Sequence, residues 1–235
     1  MYWFFDPTLL LFIVPGLLLG LWAQARVRSA YARASRIRSR RGLSGLDTAR
    51  TLLDEEGVRG VRIEPTPGVL SDHYNPLNHK LRLSETVYED RSLAAVGIAA
   101  HEAGHAIQHA RRYAPMYLRS AIVPLCTVGS ILGQIALGIG VLLALMGFML
   151  GRWLLLGGII GYLVVFLFTL VTLPVEFNAS RRARIALANH GLVDRDEMVE
   201  VKHVLDAAAL TYVAATVSVL GTLLQLIFLY NRSRD

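Results

Sequence analysis

Four long runs without any charged residue or histidine constrain the fold of this 235-residue chain more than any other feature. The runs are residues 7–25, 120–151, 153–175 and 207–231. A helix of about 20 apolar residues crosses the hydrocarbon core of a bilayer, so each run is long enough to span a membrane. Because 54% of the residues are hydrophobic, too little polar chain remains to cover four buried helices in a soluble core. The sequence therefore predicts an integral membrane protein with four transmembrane helices.

The basic residues are distributed unevenly between these runs. Of the 24 lysines and arginines, 21 fall in the two polar segments 26–119 and 176–206. Cytoplasmic segments carry such an excess, so we expect both segments in the cytoplasm and both chain termini outside. The first run is expected to be an uncleaved anchor rather than a signal peptide, because its arginines follow it. Topology thus explains the net charge of +6, and no nucleic-acid partner is expected.

The first polar segment has a clear order of local signals. Ser44 and Asp47 have the spacing of a capping box, which predicts a short helix after them. Apolar and polar residues then alternate within 58–84, between prolines, glycines and asparagines, which predicts two or three short strands in a small antiparallel sheet. Ser92 is a suitable N-cap for a helix that runs from residue 93 to about residue 110.

That last helix carries the pattern His101-Glu102-Ala103-Gly104-His105. Residues four apart lie on nearly the same helix face, so both imidazoles can bind one metal ion. Zinc suits this ligand type and keeps one position open for a water molecule. Glu102 is expected beside that water as the general base, and later as the proton donor to the leaving amine.

A catalytic zinc site of this kind needs a third protein ligand. Glu176 is the first candidate, because two membrane crossings return the chain to the side on which His101 lies. An acidic residue directly after an apolar run also points to a function. Asp206, which precedes the fourth run on the same side, is the alternative third ligand.

The remaining histidines lack ligand spacing, and we expect them to be exposed or hydrogen-bonded. They are His73, His79, His109, His190 and His203. His203 and Tyr212 lie near the start of the fourth apolar run, where either could stabilise the oxyanion of a tetrahedral intermediate.

Five segments carry a resemblance to a known family. They are DHYNP (72–76), LRLSE (81–85), HEAGHAIQ (101–108), LPVEFNAS (173–180) and LDAAALTY (205–212). Over nearly the whole chain the sequence resembles the YugP-type neutral zinc metallopeptidases. The resemblance implies a multi-pass protein of the bacterial cell membrane that hydrolyses peptide bonds with one zinc ion.

A more distant resemblance concerns the segment that begins at Glu176. It is similar to the Glu-x-x-x-Asp segment of HtpX-type and CAAX-processing peptidases, in which the Glu is the third zinc ligand and the Asp orients the first zinc-binding histidine. This chain has Ser180 in place of that Asp. A hydroxyl is a weaker acceptor than a carboxylate, so the orientation of His101 is expected to be less firmly set. The resemblance also implies that an edge strand at residues 81–83 pairs with the substrate backbone.

The combined expectation is a mainly α-helical membrane protein with a cytoplasmic α+β metallopeptidase region. Its predicted segments are a transmembrane anchor (1–25), a catalytic region (26–119), a two-helix transmembrane hairpin (120–175), a helical segment with the third ligand (176–206), and a fourth transmembrane helix with a short tail (207–235). The expected substrate is a peptide or a protein, including proteins of the membrane itself. Two alternatives are a site-2-type intramembrane protease that uses Asp206, and a non-enzymatic membrane scaffold with a vestigial metal site.

Overall fold

The computed structural model describes residues 7–233 of the chain, and the side chains of residues 10–233. The first six residues of the predicted anchor and the last two residues of the predicted tail lie outside this part. The described residues form two compact units. We call residues 7–22, 118–173 and 211–233 the apolar unit, and residues 23–117 and 174–210 the polar unit.

Helices dominate the described part of the chain. In chain order the elements are α1 (Pro7–Ala34), α2 (Gly45–Glu55), β1 (Arg62–Thr66), β2 (His73–Asn75), β3 (Lys80–Ser84), α3 (Glu85–Tyr88), α4 (Leu93–Ala110), α5 (Ala114–Ile135), a π-helical turn (Ala136–Gly140), α6 (Val141–Leu145), α7 (Met149–Asn189) and α8 (Arg195–Arg232). By length and composition, four helical segments can cross a membrane, namely Leu10–Ala34, Ala114–Leu145, Met149–Asn189 and Arg195–Arg232. The number of apolar helices agrees with the four predicted from the sequence.

The apolar unit is built on close contacts between helices. At Gly129 of α5 and Gly161 of α7, a Cβ added to either glycine would lie 2.5 Å from the carbonyl oxygen of the other. Small residues of this kind allow the backbones of transmembrane helices to approach each other. Large apolar side chains remain exposed on the outside, such as Leu125 and Ile160. Such an extensive exposed apolar surface is suited to contact with lipid.

The polar unit is organised around α4, because 14 of the 18 residues of this helix are buried. The predicted helix starts are confirmed. The Ser92 side chain accepts a hydrogen bond from the Ala95 N–H, and Ser44 and Asp47 form both hydrogen bonds of a capping box. The aliphatic residues of α2, α3, β3 and α4 share one core with buried residues of α7 and α8.

The sheet is mixed, so the prediction of an antiparallel sheet is wrong. The strand order is β1-β3-β2; β3 pairs with β1 in parallel and with β2 in antiparallel orientation. Burial accounts for the strand order. Leu81 and Leu83 of β3 are fully buried, whereas no residue of β1 or β2 is, so the most apolar strand takes the central position.

The strand order also corrects the expected use of residues 81–83. These residues belong to β3, whose two edges are both occupied by neighbouring strands, so no edge remains for a substrate to pair with. The outer strands are β1 and β2, and β2 packs against α4.

Candidate metal centre

His101 and His105 lie one turn apart on α4 and direct their Nε2 atoms toward the same carboxylate. Glu176 of α7 places its Oε2 atom 3.2 Å from His101 Nε2 and 3.4 Å from His105 Nε2. Glu176 is 2% exposed. In the described part of the chain, these three residues are the one group of histidine, cysteine and acidic side chains whose geometry suits a metal ion.

The spacing of these ligand atoms fits a zinc ion. In a tetrahedral site with bonds of about 2.0–2.1 Å, neighbouring ligand atoms lie about 3.3 Å apart. The two N···O separations have this value, and one ligand atom from each residue lies within 4.8 Å of the others. Two imidazoles and one carboxylate are a known ligand set of catalytic zinc, which leaves the fourth position for water.

Gly104 allows α4 to approach α7 closely enough for this arrangement. A Cβ at position 104 would lie 2.6 Å from the backbone oxygen of Ala179, a distance that non-bonded atoms do not tolerate. Ala103, Ala179 and Ala183 are also fully buried. The small residues around the two histidines therefore let the two helices pack at short range.

Glu102 is buried beside His101 and faces the sheet. Loss of hydration raises the pKa of Glu102 to about 7, and the nearby carboxylates of Glu176 and Asp72 act in the same direction. The nearby His101 and the backbone N–H of Tyr74 in β2 act in the opposite direction. A carboxyl group with such a pKa can accept a proton and return it near neutral pH.

Ser180 occupies the position that the distant resemblance assigned to it. Its Oγ atom lies 3.1 Å from Nδ1 of His101, on the side of the ring away from Glu176, and the residue is buried. The hydroxyl can either donate to this nitrogen or accept from it, because an oxygen of this type has both capacities.

Gln108 is the site residue that the analysis of the sequence missed. It is fully buried, and its Oε1 atom lies 3.0 Å from Nδ1 of His105. Its Nε2 atom donates to the carbonyl oxygen of Val175 and to Oδ1 of Asn178. The available signal was its spacing, because a residue three positions after His105 lies on the same helix face. A buried glutamine in a helix of small and aliphatic residues is also unusual.

The alternative ligand Asp206 stands outside the cluster. Its carboxylate pairs with two basic side chains, since Lys202 Nζ donates to Oδ2 and Arg184 Nη1 lies 3.8 Å from Oδ1. Of the two acidic residues considered as the third ligand, the structure brings only Glu176 to the two histidines.

The two candidates for stabilising an oxyanion stay predictions. His203 is partly exposed, and its Nδ1 atom lies 3.4 Å from Arg33 Nη2 and 3.9 Å from Glu200 Oε2. Tyr212 belongs to the apolar unit, and its backbone oxygen accepts a hydrogen bond from Thr216.

His109 continues the histidine face of α4 by one more turn, but its contacts are aromatic. Its Nδ1 atom lies 2.8 Å from the Tyr74 hydroxyl, and its ring lies 5.0 Å from that of His79 and 5.5 Å from that of Tyr117. Burial and the nearby His79 lower the pKa of His109. This agrees with the expectation of a hydrogen-bonded histidine outside the metal group.

Comparison with known proteins gives two consistent results. Residues 9–231 match the family described as putative neutral zinc metallopeptidase. The chain is 42% identical over 218 residues to the "Putative membrane protease YugP" of Bacillus subtilis (strain 168), which covers 92% of this chain and 94% of that protein. No solved structure is significantly similar to the chain.

Proposed function

This chain belongs to the family of putative neutral zinc metallopeptidases, and from that premise we propose that it is a membrane-bound peptidase with one zinc ion. His101, His105 and Glu176 hold the ion, and Glu102 is the general base. The observation that supports this proposal is the cluster of His101, His105 and Glu176. The Glu176 oxygen lies 3.2 and 3.4 Å from the two histidine nitrogens, and the buried Glu102 is the residue next to His101.

The protein side chains have distinct tasks in this reaction. A zinc ion at this site would act as a Lewis acid and lower the pKa of a water molecule to about 7. Glu102 accepts a proton from the water that attacks the peptide carbonyl, and then donates it to the nitrogen of the leaving amine. Burial raises the pKa of the Glu102 carboxyl group toward neutrality, which favours both proton transfers.

The substrate is a peptide or a protein segment in extended conformation, and β2 is the strand on which it adds. In the described part of the chain β2 pairs only with β3, so no strand occupies its outer edge. The strand packs against α4, and the backbone N–H of Tyr74 is close enough to Glu102 to lower its pKa, so β2 lies beside the general base. A strand that adds there is held mainly through its main chain, so many sequences are acceptable.

Composition supports a place in the bacterial cell membrane with the site on the cytoplasmic side. The site residues all belong to segments 26–119 and 176–206, which hold 21 of the 24 basic residues. An excess of lysine and arginine next to apolar spans marks cytoplasmic segments. The same rule leaves the two chain termini outside.

The test measures zinc content and peptide cleavage in the detergent-solubilised full chain, with the unstructured protein β-casein as the substrate. We expect one zinc ion per chain in the wild type and in Glu102→Gln, whereas the variant loses cleavage by about 100- to 10,000-fold. Glu85→Gln is the matched control, because Glu85 is exposed at the start of α3 and both quantities should remain unchanged.

Two other results would support different functions. Bound zinc without cleavage of β-casein or other unfolded proteins by the wild type would favour a scaffold. Loss of zinc in Asp206→Asn but not in Glu176→Gln would favour a protease of the site-2 type.

A further inference from the structure

A continuous chain of hydrogen bonds extends from His105 to the positively charged Arg182 of α7. His105 Nδ1 lies 3.0 Å from Gln108 Oε1, and Gln108 Nε2 lies 3.0 Å from Asn178 Oδ1. Arg182 Nε donates to the same Asn178 oxygen over 2.7 Å. These hydrogen bonds thus join α4 and α7 on the Nδ1 side of His105.

A backbone carbonyl determines the orientation of the Gln108 amide, because a carbonyl oxygen only accepts hydrogen bonds. Gln108 Nε2 lies 2.7 Å from the backbone oxygen of Val175, which is always an acceptor. If the amide were reversed, two oxygen atoms would face each other at that distance in a buried site. An unsatisfied buried acceptor is costly, so the nitrogen points to Val175 and the oxygen points to His105.

Arg182 determines the orientation of Asn178 in the same way. A guanidinium group has donors only and does not lose its proton. The atom that faces Arg182 Nε is therefore the Asn178 oxygen, which also accepts from Gln108 Nε2. Two independent anchors, a backbone carbonyl and a guanidinium group, thus favour the same orientation of the Gln108 amide.

We propose that Gln108 is a positioning residue that holds His105 in the tautomer with the proton on Nδ1 and the lone pair on Nε2. The Gln108 oxygen can only accept, so the His105 nitrogen that faces it must donate. The lone pair on Nε2 is then free for a metal ion between His105 and Glu176. Without the ion, the Glu176 carboxylate 3.4 Å away competes for a proton on Nε2. The proposal rests on the proposed function, because His105 is a ligand of the same zinc site.

The first test reads the tautomer directly in the full chain with Glu176→Ala, because this substitution removes the carboxylate that competes for a proton on Nε2. Histidine is labelled with ¹⁵N, zinc is removed with a chelator, and the spectrum is recorded well above the ordinary histidine pKa of about 6.5. The loss of a signal in His105→Asn assigns the ring. We expect the Nδ1–H form of His105, and a dominant Nε2–H form would overturn the proposal whatever the variants do.

The second test removes the acceptor with little change in volume. When Gln108→Met is added to Glu176→Ala, we expect the two tautomers of His105 to coexist. In Gln108→Met alone, we expect zinc affinity, measured by chelator competition, to fall by about 10- to 100-fold. The control is Thr48→Val, which removes another buried hydrogen bond in the same unit and should leave zinc affinity unchanged. An unchanged tautomer in Gln108→Met would reduce Gln108 to a packing residue and overturn the proposal.

Two substitutions of Asn178 test the direction of the hydrogen bonds between His105 and Arg182. Asn178→Asp keeps an acceptor for both Gln108 and Arg182, so zinc affinity should stay close to that of the wild type. Asn178→Leu removes one of the two anchors and should weaken zinc binding by about two- to tenfold, the effect of one net hydrogen bond. If the two substitutions changed zinc affinity equally, the proposed directions of these hydrogen bonds would be contradicted.

The outcomes separate this inference from the proposed function. If the wild type binds no zinc, the proposed function fails, whereas the tautomer measured without zinc still tests Gln108. If the wild type binds zinc and cleaves β-casein while Gln108→Met keeps both the tautomer and the affinity, only the inference about Gln108 fails.

Discussion

The two histidines of the candidate metal centre lie on one helix and face one carboxylate, but the Nδ1 atoms of their rings contact different groups. Behind His105, the oxygen of a fully buried Gln108 can only accept a hydrogen bond. Behind His101, the hydroxyl of Ser180 can donate or accept. The group at Nδ1 therefore favours one tautomer in His105, whereas the group at Nδ1 of His101 accommodates either tautomer.

The residues that contact the two Nδ1 atoms also belong to different helices. Gln108 belongs to the same helix as His105, and it gains its orientation from Val175 and Asn178 of α7. Ser180 belongs to α7, and it contacts His101 through a single hydroxyl. A zinc site can thus combine one rigid ligand with one ligand that adapts when the ion or the substrate binds.

The largest expected effect comes from Glu176→Ala, which removes the carboxylate that both histidines face. We expect zinc affinity to fall on the order of 100- to 1,000-fold, roughly the share of one ligand in the binding energy of a zinc site. Chelator competition on the full chain measures this loss. Glu85→Ala at an exposed position is the control, and equal affinities in the two variants would exclude Glu176 as a ligand.

Gly104→Ala should disturb the environment of both histidines at once. Its Cβ would lie 2.6 Å from the Ala179 oxygen, so α4 and α7 must move apart. We expect the free energy of unfolding to fall by about 1–3 kcal/mol, as overpacking usually costs, together with weaker zinc binding. Gly20→Ala is the matched control because no atom lies within 4 Å of the added Cβ. Thermal unfolding in detergent compares the two variants, and similar midpoints would argue against this close contact.

Ser180→Asp should give His101, like His105, a partner at Nδ1 that only accepts a hydrogen bond. A carboxylate at this position accepts strongly from Nδ1–H of His101 and would hold the ring with its Nε2 lone pair toward Glu176. We expect zinc to bind up to about tenfold more tightly. The same chelator competition measures the change, with Ser180→Asn as the neutral control. Weaker binding in the Asp variant than in the Asn variant would indicate that the hydroxyl is already the better partner.

The smallest effect is expected for Ser180→Ala. The hydroxyl contributes one hydrogen bond and does not select a tautomer, so zinc affinity should fall by only about two- to fivefold. The informative quantity is the comparison with Gln108→Met in parallel titrations. If the serine variant loses more affinity than the glutamine variant, the assignment of His105 as the rigid ligand is wrong.

Short-range patterns allowed several features to be predicted from the sequence. Ser92 and the small and apolar residues after it predicted α4, and the spacing of His101 and His105 placed both rings on one face. The sequence favoured Glu176 as the third ligand but left Asp206 as the alternative, because both adjoin an apolar run on the same predicted side. Only packing decided between them, since Asp206 is paired with Lys202 and Arg184.

The sequence by itself determined the local elements of this protein: four apolar helices, the capped helices α2 and α4, and a pair of histidines with an adjacent glutamate. Their signals depend on residues within a few positions of each other, or on the length of an apolar run. Tertiary structure alone decided the central position of β3 and the contact of His105 with Glu176. It also decided the orientation of Gln108, which donates hydrogen bonds to Val175 and Asn178 on a helix about 70 residues away in sequence. Arg182 of that helix in turn donates to Asn178.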